Sequence, residues 1–412
     1  MSQGNGTPVK EALPEIEECL EMMLRETGLQ KVQTVSIEEA AGCVLAETVC
    51  ANMSVPPFPK SAMDGYAVRA ADLWGATKDE PVVLQVKGEL LAGDYEEIPY
   101  TAMSAVRVMT GAFIPEGYDV VVRQEDTDYG EEEVSVYVQA KPYMNYCKVG
   151  EDICEGDVVV AQGTRLRPVH IGLLAEVGCS NVLVYRPLEV AILCTGSELC
   201  EAGEPLPKGK IYNNISHILA AGIRKEGLKV TYRQLCADEE AVLEEKLTEA
   251  LEAADVVITT GAVSVGKKDI VPAVLETIGA KVLFRKANIQ PGTPTTASVK
   301  DGKLILSLSG NPYAAIVNFE IYFWAVAARM MGHESFGVKQ ETAVLQSEYG
   351  KVNRMRRFIR AKAEGGRVYL PTGVHASSVI YNLTECNCFI DLEPGRAVQV
   401  GDEVRIRYIK GM

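Results

Sequence analysis

The chain has 412 residues, 47% apolar and 24% charged, which is ordinary globular usage and excludes global disorder. Lys plus Arg number 41 against 56 Asp plus Glu, a net charge of −15. That balance excludes a general nucleic-acid binder and a protein held to anionic lipid, since both need a basic face.

An anionic substrate must then be held by local donors, a helix N-terminus or a metal ion. At roughly 150 residues per domain, two to four domains are expected. No apolar run approaches the ~20 residues of a membrane span. The acidic start, MSQGNGTPVKEALPEIEECL, has no apolar core and does not read as a signal peptide, so a cytoplasmic protein is expected. The 11 Cys are scattered, and neither Cys194/Cys200 nor Cys386/Cys388 has a zinc-ribbon partner pair. They read as reduced, mostly buried thiols, with a Cys386–Cys388 redox pair as the alternative. The four His are too dispersed for a metal motif.

In chain order, Leu13, Ile16, Leu20, Met23 and Leu24 recur at helical spacing and stop at Gly28. A β-rich stretch follows, then Pro56-Pro57-Phe58-Pro59, a turn or extended segment. Residues 66–147 carry alternating runs such as Val82–Val86 and Val134–Val138, which predict short strands of a β-rich module. Glu131-Glu132-Glu133 reads as a solvated hairpin tip.

From Leu188 apolar runs alternate with helical segments. Strands are predicted at Glu189–Cys194, Val230–Cys236, Val256–Thr259 and Val282–Phe284, with helices at Asn214–Lys225, Glu239–Ala253 and Asp269–Ile278. That alternation predicts an α/β domain with a parallel, doubly wound sheet. Asp238 is predicted as a helix N-cap. Asp301-Gly302 closes a hairpin between Thr295–Val299 and Leu304–Leu308. Asn311-Pro312 opens a long apolar helix that ends at Gly332. After about 335, runs at Phe358–Ala361, Val368–Leu370, Val379–Tyr381 and Val404–Tyr408 predict a small β-barrel or sandwich.

Ligands of such sheets bind at the carboxyl ends of the strands. Four loops qualify. Thr195-Gly196-Ser197-Glu198-Leu199 offers N–H groups and hydroxyls as an oxyanion cradle, with a carboxylate beside them. Residues 259–266, TTGAVSVG, repeat small donors ahead of Asp269. Pro291-Gly292-Thr293-Pro294 and Leu308-Ser309-Gly310-Asn311-Pro312 complete the set. None is a dinucleotide fingerprint or a Walker loop. Each alone reads equally as a turn or a cap. Together they point to an anion site, and the interspersed acids point to Mg²⁺. Outside that sheet, Asp64 in SAMDGYAVR and Thr110-Gly111-Ala112 after Val106–Met109 read either as a hairpin or as a catalytic pair.

PPFPKSAMDGYAVRAAD at 56–72, MTGAFIPEGYDVVVRQED at 109–126, GEDICEGDVVVAQGTRLRPVHIGLLAEVG at 150–178, VAILCTGSEL at 190–199, ITTGAVSVGKKD at 258–269, QPGTP at 290–294 and SGNPYAAIVNF at 309–319 stand in one order along the chain. Together they resemble the molybdopterin molybdotransferase family, the molybdenum-insertion enzymes that include the gephyrin E domain. The resemblance implies an elongated homodimer of four-domain subunits. Residues 1–50 with 148–187 would form a discontinuous dimerisation domain, and 51–147 an inserted β-rich domain. Residues 188–333 would form the molybdopterin-binding α/β domain and 334–412 a C-terminal β-barrel.

The implied reaction takes molybdopterin-adenylate and molybdate, with Mg²⁺, to molybdenum cofactor and AMP. The implied partners are the adenylyltransferase that makes the adenylate and the chaperones of molybdoenzymes. Matching positions imply catalytic roles for Asp64, Thr110, Glu198 and Asp269, with Asp64 acting across the dimer interface. Glu198, Asp238 and Asp269 would handle metal or pyrophosphate, and Asp152 is a further matching acid. Thr195, Gly196, Ser197, Asp238, Thr260, Gly261, Ser264, Gly266, Pro291, Gly292, Pro294, Gly310, Asn311 and Pro312 would line the pocket.

Where the family reads KPGKP this chain has Gln290 and Thr293, so two expected lysines are missing. Lys267, Lys268 or Lys286 are possible substitutes. The usual TTGG, PGNP and TGDEL become TTGA, SGNP and TGSEL. Those departures leave open a weakly catalytic molybdopterin carrier or scaffold, with tungstate as a further oxyanion. A third reading, the adenylyltransferase itself, rests on the resemblance of its fold to residues 188–333, and its usual single-domain size argues against it.

Overall fold

A computed structural model describes residues 12–263, 270–373 and 376–411. They fall into two compact units. Ser264, Gly266, Lys267, Lys268 and Asp269 lie outside the described residues, as does the expected start of the helix at Asp269.

One unit comprises Thr34–Ala41 and Leu45–Leu183. Its centre is a five-stranded sheet in the order Val120–Arg123, Gly65–Val68, Ser104–Val108, Val82–Leu90, Glu133–Val136. Both faces are covered, as strict alternation shows. Tyr66, Val68, Val120 and Val122 enter one core, while Ala67 and Val121 enter the other. A separate small core of Ala51, Val55, Ile153 and Val177 joins chain from before the sheet to chain from after it.

The other unit comprises Met1–Gln33, Gly42–Val44 and Val184–Met412. Its α/β part runs β1 (Glu189–Thr195), α1 (Ile215–Lys225), β2 (Lys229–Cys236), α2 (Glu240–Ala253), β3 (Val256–Thr260), α3 (Val271–Thr277), β4 (Lys281–Lys286), β5 (Pro294–Lys300) and β6 (Lys303–Leu308). The sheet order is β2-β1-β3-β6-β5-β4. The first four strands are parallel, with Ile192 beside Arg233 and Ile258, and Ile258 beside Leu306. β5 pairs antiparallel with β6, as the predicted hairpin requires, and β4 extends that antiparallel edge beyond the parallel strands. The hairpin between β5 and β6 needs two left-handed residues, and Asp301 (φ 50°) and Gly302 (φ 76°) supply them. Helices α2 and α3 seal one face through Leu243, Leu247, Val271, Val274 and Leu275.

After β6 a 20-residue helical run, Pro312–Met331, ends at Gly332 in the left-handed conformation. Contrary to the sequence reading, it is long and apolar enough to cross a membrane, but 83% of it is buried in the fold. A π-helical turn at Phe319–Phe323 interrupts it. The N-terminal helix Ile16–Arg25 packs on this run and on β4.

Five further strands, β7 (Gln340–Leu345), β8 (Arg356–Glu364), β9 (Arg367–Tyr369), β10 (Cys388–Leu392) and β11 (Glu403–Tyr408), form a closed barrel, because β10 pairs back onto β8. The expected strand at Val379–Tyr381 is instead irregular chain running into a 3₁₀ turn at Tyr381–Glu385. Its three apolar residues have no alternating partner strand, so local pattern overstated them. On the outward face of the barrel, alternating with the core residues Ile390 and Leu392, buried Asp391 sits between Arg356 (2.7 Å) and Arg407 (2.9 Å). Burial pulls its carboxyl upward, but the two guanidiniums outweigh that and hold it below the usual range.

All 11 cysteines are free, but only Cys19, Cys194, Cys236 and Cys388 are fully buried, fewer than expected. Burial pushes the Cys386 and Cys388 thiols up to about 11 and 12, so neither is a ready nucleophile.

Glu320, in the π turn, is buried and accepts the N–H groups of Lys410 and Gly411 at 2.8 and 2.9 Å. Burial raises its pKa from 4.5 to about 7, against the opposing pull of those donors. The fold therefore favours the neutral acid. Its stabilising share is complete below pH about 4.5 and lost as pH rises through about 7, on the order of 3 kcal/mol. Urea unfolding of the parent and Glu320→Gln should show the parent losing ground to the variant between pH 5 and pH 8. An unchanged difference would refute this assignment.

Candidate functional site

A cavity of about 790 Å³ opens at the carboxyl edge of the four parallel strands. Most of its walls come from strand ends. β1 contributes Thr195, Gly196, Glu198 and Leu199, and β2 contributes Asp238. β3 contributes Thr260, Gly261, Ala262 and Val263, while Ser309, Gly310, Asn311 and Pro312 follow β6. Two walls were not anticipated from the sequence. Ile211–Ile215 arrive through a short parallel pairing of Ile211–Tyr212 with Leu199–Cys200, and Ser378 comes from the barrel. The paired asparagines Asn213-Asn214 directly before α1 were the one local hint of the former.

Close backbone approach shapes the cavity. Gly261 has φ 91°, and a Cβ there would lie 2.2 Å from the Thr195 carbonyl oxygen. Ala262, where the resemblance implies a second glycine, is held at φ 51°. The Thr195 hydroxyl donates to the Thr260 carbonyl (3.3 Å) and the Thr260 hydroxyl to Cys194 Sγ (3.0 Å). Both hydroxyls are thus used inside the protein. Asn311 caps its helix by accepting the Ala314 N–H (3.3 Å), and its amide donates to Ser377 Oγ (3.1 Å).

Asp238 is not the helix N-cap. Glu239 occupies that position without a side-chain cap, and Asp238 Oδ2 instead accepts the Ser197 N–H at 2.9 Å. The partner is 41 residues away, so sequence proximity pointed to the wrong role. Lys210, not anticipated, donates to the Ser197 carbonyl. Pro291, Gly292 and Pro294 do not line the cavity. Their loop is tied to the long helix, where Asn318 Nδ2 donates to the Gly292 carbonyl at 2.8 Å. Thr293 is likewise turned inward, donating to the Ile289 carbonyl (2.6 Å). Lys286 is exposed at the end of β4.

Asp64 and Thr110 are brought together in the other compact unit. Thr110 N–H and Oγ1 both donate to Asp64 Oδ1 at 2.7 Å. The backbone donor first, then the hydroxyl, holds the Asp64 carboxyl below its ordinary value. The pair is exposed, and Asp152 is exposed in the same unit. Among the described residues no cluster of three or more His, Cys, Asp or Glu could hold a metal ion.

Three family models match in succession: the MoeA N-terminal region (domain I and II) over residues 7–178, a probable molybdopterin binding domain over 191–328, and the MoeA C-terminal region (domain IV) over 342–407. The chain is 36% identical over 383 residues to a molybdopterin molybdenumtransferase of Haemophilus influenzae, covering 91% of this chain and 93% of that protein. It is 33% identical over 410 residues to that of Staphylococcus epidermidis, covering 98% and 97%. The crystal structure of a molybdopterin biosynthesis MoeA protein from Pyrococcus horikoshii superposes with a TM-score of 0.87 at 28% identity, covering 97% of this chain and all of that one. With its cavity at the strand ends and matches over nearly its whole length, the chain belongs to the molybdopterin molybdenumtransferase family, transferases of molybdenum cofactor biosynthesis.

Proposed function

We propose that the cavity accepts adenylylated molybdopterin, and that the chain inserts molybdenum from molybdate and releases AMP, working as a cytosolic homodimer with a divalent cation such as Mg²⁺. The observation that carries this reading is the cavity itself: about 790 Å³, walled by four strand-end turns and lined by two carboxylates. That volume suits a ligand of nucleotide or pterin size. Backbone donors at Gly310 and the start of the long helix favour a phosphate group. Leu199, Ile211, Ile215 and Val263 offer apolar contact to a planar ring.

Glu198 and Asp238 are hard oxygen donors from neighbouring strand ends, a set that suits Mg²⁺ with substrate oxygens and water completing its shell. They would hold the cation, with Asp269 as the third acid that the resemblance implies. Bound there, the cation would supply charge neutralisation at the pyrophosphate oxygens. Thr110 keeps Asp64 ionised and oriented, the state required of an acid reaching a partner's cavity. The inward-turned Thr293 supports an enzyme that does without a lysine at that position.

Two outcomes follow. Purified protein given adenylylated molybdopterin should release AMP only when both molybdate and a divalent cation are present, and Glu198→Gln should cut the rate by roughly a hundredfold. AMP release indifferent to both would refute the reading. The double variant Gln290→Lys, Thr293→Lys should leave turnover within about twofold. A sharp rise would favour a decayed, carrier-like protein.

A further inference from the structure

Ser197 is bracketed by charge. Its N–H donates to Asp238 Oδ2 at 2.9 Å, and its carbonyl accepts from Lys210 Nζ. Glu198 folds back over the same turn, so that a Cβ on Gly196 would lie 2.9 and 3.0 Å from its two carboxylate oxygens. Gly196 and Glu198 of this turn line the cavity with exposed Ser197 between them, and two of the chain's own carboxylates lie against the turn. Among the described residues lining the cavity there are two acids and no cation. Lys210 is the nearest cation that the hydrogen bonds place on the turn.

We infer that Asp238 gates the Ser197 amide. While its carboxylate holds the N–H, a phosphate is refused twice over: its donor is taken, and a like charge stands in its place. When the carboxylate turns to a divalent cation, the amide is released to the anion, with Lys210 beside it. Cation and anion then bind with positive coupling, each raising the affinity of the other by the same factor. The inference rests on the reading of the cavity as a phosphate-binding site. It adds that anion binding waits on the cation, through a named carboxylate and a named N–H.

Calorimetric binding of AMP to the full chain tests this without turnover. The parent should bind AMP at least roughly tenfold more tightly in saturating Mg²⁺ than in EDTA. Asp238→Ala should bind AMP in EDTA several-fold more tightly than the parent, and by more than Glu198→Gln, which removes a charge from the same turn without freeing the amide. Asp238→Asn keeps an uncharged acceptor for the Ser197 N–H and should fall between, which preserves the comparison if the alanine variant fails to fold. Lys210→Ala should weaken AMP binding in both conditions. Equal parent affinity with and without Mg²⁺, or equal gains in Asp238→Ala and Glu198→Gln, would overturn the gate. Absence of AMP binding in the parent and every variant, under both conditions, would instead overturn the reading of the cavity on which the gate rests.

Discussion

The site depends on one close contact between backbones. The turn after β3 lies against the end of β1 so tightly that a Cβ at Gly261 would stand 2.2 Å from the Thr195 carbonyl oxygen. The turn after β6 lies in van der Waals contact with it, since a Cβ at Gly310 would reach Gly261 Cα at 3.4 Å, and the Gly261 N–H donates to the Leu308 carbonyl at 3.1 Å. Three strand ends thus meet main chain to main chain. Much of the cavity wall is therefore peptide, rich in partial charges that need no side chain to hold them. The cost falls on Ala262, which must follow Gly261 into the left-handed region at φ 51°.

That wall carries carboxylates where an anion is expected to bind. Glu198 and Asp238 face the cavity, and in the other unit two hydrogen bonds from Thr110 hold the Asp64 carboxyl below its ordinary value. A chain of net charge −15 gains nothing from general attraction of an anionic ligand. Recognition has to be local and conditional. The Asp238–Ser197 hydrogen bond supplies the condition, because one N–H cannot serve a carboxylate and a phosphate at the same time.

Support for the cavity comes from the barrel and the long helix. Ser377 and Ser378 reach the helix start from a barrel loop anchored by the buried Arg360, which donates to Asn382 Oδ1 at 2.6 Å and to the Ala376 carbonyl at 3.0 Å. At the same end of the barrel, where the Ile409 N–H meets the Asn387 carbonyl, β11 runs into Lys410 and Gly411, which Glu320 grips from the middle of the helix. The barrel is thus tied to the helix through both a wall of the cavity and a buried carboxyl.

Features set by neighbours in the chain were legible from residues alone. Asp301-Gly302 closes its hairpin because those residue types tolerate positive φ, and Asn311-Pro312 starts its helix because one caps and the other needs no N–H donor. The βα alternation from 188, the β-rich module and the barrel followed from periodicity for the same reason. The roles of Asp238, Lys210, Ser378 and the 290–294 loop were settled by partners far away in sequence. Local pattern sees which face of a strand is apolar. Which distant donor a carboxylate meets is decided only when the sheet brings strand ends together, and that proximity has no signature in spacing.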